Sequence, residues 1–330
     1  MALILSRADV QQCLTMPEAI EAMRLAFSAL STGHVHVSQR SSTNLPEEGV
    51  VLLMPSLLQT TEAQAFGLKV ITVMPRNPSR NLPRSYASVL LLDAETGKTL
   101  AIMEGGWLTA LRTGAVSGLA TSLLARQDAD VLALFGAGVQ APMQALAIHT
   151  VRPLREIHVV NRNDDHYASL VETLHSLLGA SCPPIHRAAS SKEALANASI
   201  VACATASTTP LFAKSEIAQG THINAIGAFT PDMCEVDAET VAHARIVVDQ
   251  REAALVEAGD LLQALASGHI TNPDTWAELG QVVTGTLAGR QSPDEITFFK
   301  SVGVAAQDVA AAWQVYQNAR AKGIGVEVEV

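Results

Sequence analysis

The chain has 330 residues, more than one average domain and barely enough for two, so two lobes is the default expectation. Apolar residues make up 48% of it and charged residues only 16%, a balance that excludes a disordered chain and leaves an ample core. Asp and Glu outnumber Lys and Arg 32 to 22, a formal charge of −10 that argues against a partner such as nucleic acid or an anionic membrane, so any anionic ligand must be met by a few placed cations.

In chain order, the first strong signal is Thr15-Met16-Pro17-Glu18: a capping hydroxyl, a first-turn proline and a glutamate three residues on. Ile20, Met23, Leu25, Phe27 and Leu30 follow at mostly helical spacing, and Gly33 closes the segment. Gly49 to Pro55, Phe66 to Met74, Ser85 to Asp93 and Thr99 to Glu104 read as antiparallel strands, the last two joined by a hairpin turn over Asp93-Ala94-Glu95-Thr96-Gly97-Lys98. Thr113 to Ala125 is a helix of small residues, suited to close packing. From Val131 the pattern alternates. Val131 to Phe135, Ile157 to Val160, Ile200 to Ala204, His222 to Ile226 and Ile246 to Asp249 are short apolar strands, with helices between them around 141–149, 167–178 and 191–196. Strands separated by helices imply an α/β fold with a doubly wound parallel sheet. A last apolar-striped helix, Ala305 to Lys322, is expected with no strand after it, and no repeat or low-complexity linker interrupts the chain.

Cys13, Cys182, Cys203 and Cys234 are scattered, with no C-x-x-C pair, which argues against a disulfide scaffold or a zinc centre and fits a reducing compartment. The opening Met-Ala-Leu-Ile-Leu-Ser lacks the basic stretch of a signal peptide, and no run approaches the roughly 18 apolar residues that span a bilayer. A soluble cytoplasmic protein is the expectation.

Gly136-Ala137-Gly138-Val139-Gln140-Ala141 is a G-x-G-x-x-A loop lying directly between a strand and a helix. There the first glycine makes the tight turn, the second lets the backbone approach a pyrophosphate, and Ala141 lets helix and strand pack closely, with the helix N-terminus facing the phosphates. Dinucleotide binding is the expectation, against an ordinary strand–helix turn. An NAD site usually offers a carboxylate at the tip of the next strand. Here the chain reads Val159-Val160-Asn161-Arg162-Asn163, and Arg162 can meet a 2′-phosphate with a planar fork. NADPH is therefore the expected cofactor and NADH the alternative, with a solvent-exposed arginine that meets no ligand as the competing reading of Arg162.

Three cations of the amino-terminal lobe stand in apolar or small-residue surroundings: Arg40, Lys69 in Phe66-Gly67-Leu68-Lys69-Val70-Ile71, and Arg112 in Leu108-Thr109-Ala110-Leu111-Arg112-Thr113-Gly114. Burial would depress the Lys69 pKa and suit it to proton transfer, and two arginines with a lysine can clamp a carboxylate. By spacing alone, surface cations or structural ion pairs are the favoured reading of all three. His34-x-His36 has no third ligand at a useful spacing, so no metal is expected, and no serine sits in a hydrolase-like elbow.

At these residues the chain resembles the ornithine cyclodeaminase/mu-crystallin family. The resemblance rests on Phe66-Gly67-Leu68-Lys69-Val70, Pro75-x-Asn77, Leu108 to Ala115, the glycine loop, Ile223-Asn224-Ala225-Ile226-Gly227, Glu278-Leu279-Gly280 and Phe299-Lys300-Ser301-Val302-Gly303, in order along nearly the whole chain. It implies a two-lobed homodimer in which a Rossmann domain, residues 118–304, is inserted in an α+β substrate-binding and dimerisation domain, residues 1–117 plus 305–330. It also implies that Arg40, Lys69 and Arg112 hold a substrate carboxylate. Thr113, Thr205 and Ser207 would approach the cofactor, together with Gly136, Gly138, Val139, Gln140, Asn161 and Arg162.

Cyclodeaminases of this family carry an aspartate two residues after the glycine matching Gly227. This chain has Phe229 there, which can neither accept a proton nor pair with an ammonium group. Gly227-x-x-x-Pro231-Asp232 resembles the ketimine reductase branch, which reduces cyclic imino acids such as Δ1-pyrroline-2-carboxylate. On that reading Lys69 polarises the imine or donates its proton, Phe229 walls the ring pocket, and Asp232 orients Lys69 or the imine nitrogen, unless it only caps the turn after Pro231. A cyclodeaminase of ornithine or lysine, an alanine-dehydrogenase-like enzyme and a non-catalytic NADPH-binding protein are the alternatives.

Overall fold

The computed structural model describes every residue except Gln39 and Val330. It divides into two compact units, Met1–Arg112 with Val304–Val330, and Thr113–Gly303. The expected cuts lay after residues 117 and 304.

The first unit is an α+β layer. Its eight-stranded sheet runs in the order Val326–Val328, Ala2–Leu5, Thr99–Glu104, Ser85–Asp93, Gln64–Val73, Val50–Gln59, Val35–Val37, with Ser41–Asn44 also on Val50–Gln59. All neighbours are antiparallel except Ala2–Leu5 beside Thr99–Glu104. The helix Met16–Ser31 starts as its sequence dictates, with Thr15 and Glu18 closing a reciprocal cap. The helix Ala305–Lys322 packs on it and across the strands Val50–Gln59 and Gln64–Val73. Gly67 makes that approach close: a Cβ there would lie 2.5 Å from the Val309 side chain. Because Gly67 and Lys69 share a face of their strand, the same contact brings the first turn of the helix to Lys69.

Two expectations need correction here. A strand does follow the last helix: Gly323 ends it in the left-handed conformation, and Val326–Val328 turns back to pair with Ala2–Leu5. Three residues carry too little alternation to announce a strand whose partner lies at the other end of the chain. Second, the helix expected from Thr113 begins at Gly105. Two glycines at its start weaken its propensity, but the Glu104 carboxylate accepts from Gly106 N–H at 2.8 Å and Trp107 N–H at 2.9 Å, satisfying amides that would otherwise lack partners.

The second unit carries an eight-stranded, wholly parallel sheet. Its order is Ile185–Arg187, Glu156–Val160, Val131–Phe135, Ile200–Cys203, His222–Ala225, Ile296–Lys300, Ala244–Val248, Ala277–Glu278. Alternate residues feed opposite cores. Leu132 and Leu134 pack with Ala141, Ile148 and Leu170 of the helices Ala141–Val151 and Asp164–Leu178, while Ala133 and Phe135 pack with Val201, Phe212 and Ile223. The fold is thus the expected α/β, with a doubly wound sheet, and its strand order reverses between Val131–Phe135 and Ile200–Cys203. Ligands of such sheets bind outside the carboxyl ends of the strands at that reversal.

Candidate active site

In the first unit the strand Gln64–Val73 and two helices converge on one buried ionic cluster. Lys69 is 2% exposed, and its Nζ lies 2.7 Å from Asp308 Oδ2. Arg112, 6% exposed, donates from Nε to the other oxygen, Asp308 Oδ1, at 3.0 Å and from a terminal nitrogen to Gln307 Oε1. Asp308 is 1% exposed, so one carboxylate faces two cations out of contact with bulk water. A buried positive excess of this kind is costly unless an anion joins it. Burial pushes the Lys69 pKa down to about 8, and the Arg112 and Arg40 charges push the same way while Asp308 opposes them. Burial also raises the Asp308 carboxyl, but Arg112 and Lys69 outweigh it and hold the group below its ordinary value. Arg40 is half-buried in the segment between Val35–Val37 and Ser41–Asn44. Lys69 and Arg112 are therefore brought together, within reach of the field of Arg40, by a carboxylate that sequence reasoning did not single out. A signal existed: Gln307-Asp308 are polar residues on the buried side of an otherwise Ala- and Val-rich first helical turn.

In the second unit the glycine loop follows Val131–Phe135. Gly136 has φ +100°, and a Cβ on it would lie 2.6 Å from Ala204 O, so only glycine fits. Its N–H donates to Val160 O at 3.0 Å. A Cβ on Gly138 would meet nothing within 4 Å, leaving open space in front of the backbone. Val139 is 79% exposed, and Gln140 gives no side-chain cap to the helix Ala141–Val151. Open backbone at Gly138 and an uncapped helix start suit a pyrophosphate, so the residues fit a dinucleotide. The Thr113 carbonyl accepts from Gln144 Nε2 at 3.2 Å, and Gly114 admits Met143 O so closely that a Cβ would stand 2.4 Å from it.

The tip of the second strand holds Asn161, whose Nδ2 donates to Asn163 O at 2.6 Å, and the exposed Arg162. Beyond the fourth strand, Thr205 donates from N and Oγ1 to Glu235 Oε1 at 2.6 and 2.8 Å, and Ser207 N donates to Thr205 Oγ1 at 3.2 Å. The other Glu235 oxygen accepts from Gly227 N and Ala228 N at 2.7 and 3.1 Å, so this buried carboxylate ties together the turns after the fourth and fifth strands. It too escaped sequence reading. Phe229 follows that turn, 49% exposed. Asp232 is exposed and accepts from Thr230 Oγ1 at 2.6 Å, the contact that chiefly lowers its pKa. Its recorded partner is thus a turn residue, whereas the carboxylate on Lys69 is Asp308.

Residues 1–323 match the family described as ornithine cyclodeaminase/mu-crystallin. A Δ1-pyrroline-2-carboxylate reductase of Bacillus cereus is 36% identical over 329 residues, covering 99% of each chain. The Thermococcus litoralis Δ1-pyrroline-2-carboxylate reductase, solved with NADH and L-proline, superposes with a TM-score of 0.93 at 38% identity, covering 99% of this chain and 100% of that one. An archaeal alanine dehydrogenase dimer with bound NAD superposes with a TM-score of 0.90 at 32% identity, covering 99% of both.

Proposed function

The chain belongs to the ornithine cyclodeaminase/mu-crystallin family, and from that premise we propose that it reduces cyclic imino acids, Δ1-pyrroline-2-carboxylate or Δ1-piperideine-2-carboxylate, to L-proline or L-pipecolate. It is an oxidoreductase of carbon–nitrogen bonds that uses a nicotinamide cofactor. The observation that carries the substrate class is the buried Lys69–Asp308–Arg112 cluster, whose positive excess calls for a carboxylate.

A cyclic imino acid needs a hydride on carbon, which the reduced nicotinamide supplies when bound, and a proton on nitrogen. Arg112, with Arg40, clamps the carboxylate of the acid by its planar fork. Lys69, protonated below pH about 8 and held by Asp308, places an N–H toward the imine nitrogen and gives up that proton as the nitrogen gains basicity. Phe229 offers apolar surface to the ring in place of the carboxylate that two amines would need. On the cofactor side, Gly136, Gly138, Val139 and Gln140 serve the pyrophosphate, Asn161 and Arg162 the adenosine ribose, and Thr113, Thr205 and Ser207 the nicotinamide end. The solved relatives hold NADH and NAD. Arg162, with no carboxylate at the strand tip, supports a preference for NADPH in this chain.

A homodimer is part of the same proposal. The face of the first sheet opposite Lys69 carries Leu53, Leu57, Phe66, Leu68, Val70 and Tyr86, of which Leu53 and Tyr86 are 37% and 50% exposed, an apolar surface suited to a second copy.

The test is purified protein with NADPH and either cyclic imino acid, followed by absorbance. Stoichiometric NADPH loss with formation of the cyclic amino acid is expected. Ammonia release from ornithine without net cofactor change would instead make it a cyclodeaminase, and reduction only of a linear keto acid with ammonia would make it an amino-acid dehydrogenase.

A further inference from the structure

The strand tip that carries Arg162 is flanked by a second cation. Arg187 is the last residue of Ile185–Arg187, which runs parallel to Glu156–Val160 with Arg187 opposite Val159. Its guanidinium donates to Asn161 O at 3.3 Å, forms an ion pair with Asp164 in the first turn of the next helix, and lies 5.5 Å over the Tyr167 ring. Three contacts thus hold one planar fork against the loop between Val160 and the helix Asp164–Leu178.

The charges around that loop make the position consequential. Residues 161–165 carry one cation, Arg162, and two carboxylates, Asp164 and Asp165, a balance of −1 that Arg187 brings to zero. A 2′-phosphate adds about −1.5 to −2 at neutral pH, so the loop's own carboxylates oppose it and Arg187 offsets that opposition.

We propose that Arg187 is a specificity-determining residue for the cofactor: together with Arg162 it forms a two-arginine subsite for the adenosine 2′-phosphate, with the Asn161 carbonyl and the Tyr167 ring holding its fork in place and Asp164 competing with the phosphate for it. The inference rests on the NADPH reading above and adds a residue that the strand-tip sequence does not contain. Asp164 opposes the phosphate, so the subsite discriminates through the balance of the pair. Removing Arg187 favours the unphosphorylated ribose, and neutralising Asp164 favours the phosphorylated one.

The test compares binding of adenosine 2′,5′-bisphosphate and 5′-AMP by calorimetry, which needs no turnover. In wild-type protein the bisphosphate should bind more tightly. Arg187→Gln should weaken the bisphosphate about tenfold or more while 5′-AMP binding holds, the scale of one lost charge-assisted contact. Arg187→Lys should recover part of the loss, and Asp164→Asn should tighten the bisphosphate. Unchanged 5′-AMP affinity shows that each variant is folded. If discrimination survives Arg187→Gln but is lost in Arg162→Gln, the inference fails and the NADPH reading stands. If wild-type protein binds the two nucleotides equally, the NADPH reading fails and takes the inference with it.

Discussion

Each unit buries a lysine against a carboxylate, and the two pairs are nearly superimposable in distance: Lys69 Nζ to Asp308 at 2.7 Å, Lys300 Nζ to Asp260 at 2.6 Å. Their surroundings differ. Around Lys300 the negative charge is answered internally. Asp260 also accepts from Glu235 N and Val236 N at 2.6 and 2.9 Å, and Glu235 is saturated by Thr205, Gly227 and Ala228. Burial raises the Glu235 carboxyl, Lys300 opposes that, and Asp260 adds to it. Around Lys69 the Asp308 carboxylate is shared with Arg112, Arg40 adds its field, and Gln307 Nε2 has no hydrogen-bond partner among the described residues. A buried lysine whose neighbours are saturated ties a strand end to a helix. Among the described residues, a buried lysine that shares its carboxylate with an arginine is the arrangement that suits an incoming anion.

The contrast can be broken by exchanging each lysine for methionine. Lys69→Met should lower turnover by about 10²–10⁴-fold, the usual worth of a positioned proton donor, with the melting temperature kept because Arg112 still answers Asp308. Full turnover would remove the lysine from the mechanism. Lys300→Met should do the reverse. It leaves Asp260 and Glu235 buried without their cation and should cost about 3–5 kcal/mol in denaturant unfolding. A variant as stable as wild type would show that the backbone amides alone satisfy those carboxylates. Arg112→Lys substitutes a point charge for a fork and should raise the KM for the imino acid about tenfold, with a smaller change in kcat. An unchanged KM would remove the clamp.

The finest distinction is in pH. As the proposed donor, Lys69 would act only when protonated, so kcat/KM should hold below pH about 8 and fall as the pH rises through that value. Asp308→Asn removes the group that supports the protonated lysine, so the falling limb should move to lower pH. A limb that stays in place would assign the titration to another group.

Much of this protein was legible in one dimension because local chemistry sufficed. The Thr15–Glu18 cap, the turn at Asp93 to Lys98 and the strand–glycine–helix passage at Val131 to Ala141 each carry their own instructions within a dozen residues, and each appears where expected. Lys69 and Arg112 stood out by residue type in apolar surroundings. Asp308 did not, since its meaning lies in a partner 196 residues away along the chain. Glu235 likewise reads as one acid among many until Thr205 and Gly227 are folded onto it.

Length, composition and patterning therefore determined two compact units, an α/β alternation and a glycine passage from strand to helix, because backbone propensity and hydrophobic period are local properties. Only tertiary structure decided that the strand Ile296–Lys300 enters between His222–Ala225 and Ala244–Val248, that the two ends of the chain pair as strands, and that one aspartate serves two cations. Those outcomes depend on which distant groups exclude water together, and burial of that kind leaves at most a local oddity, such as Gln307-Asp308 in an apolar helical turn, that does not name its partner.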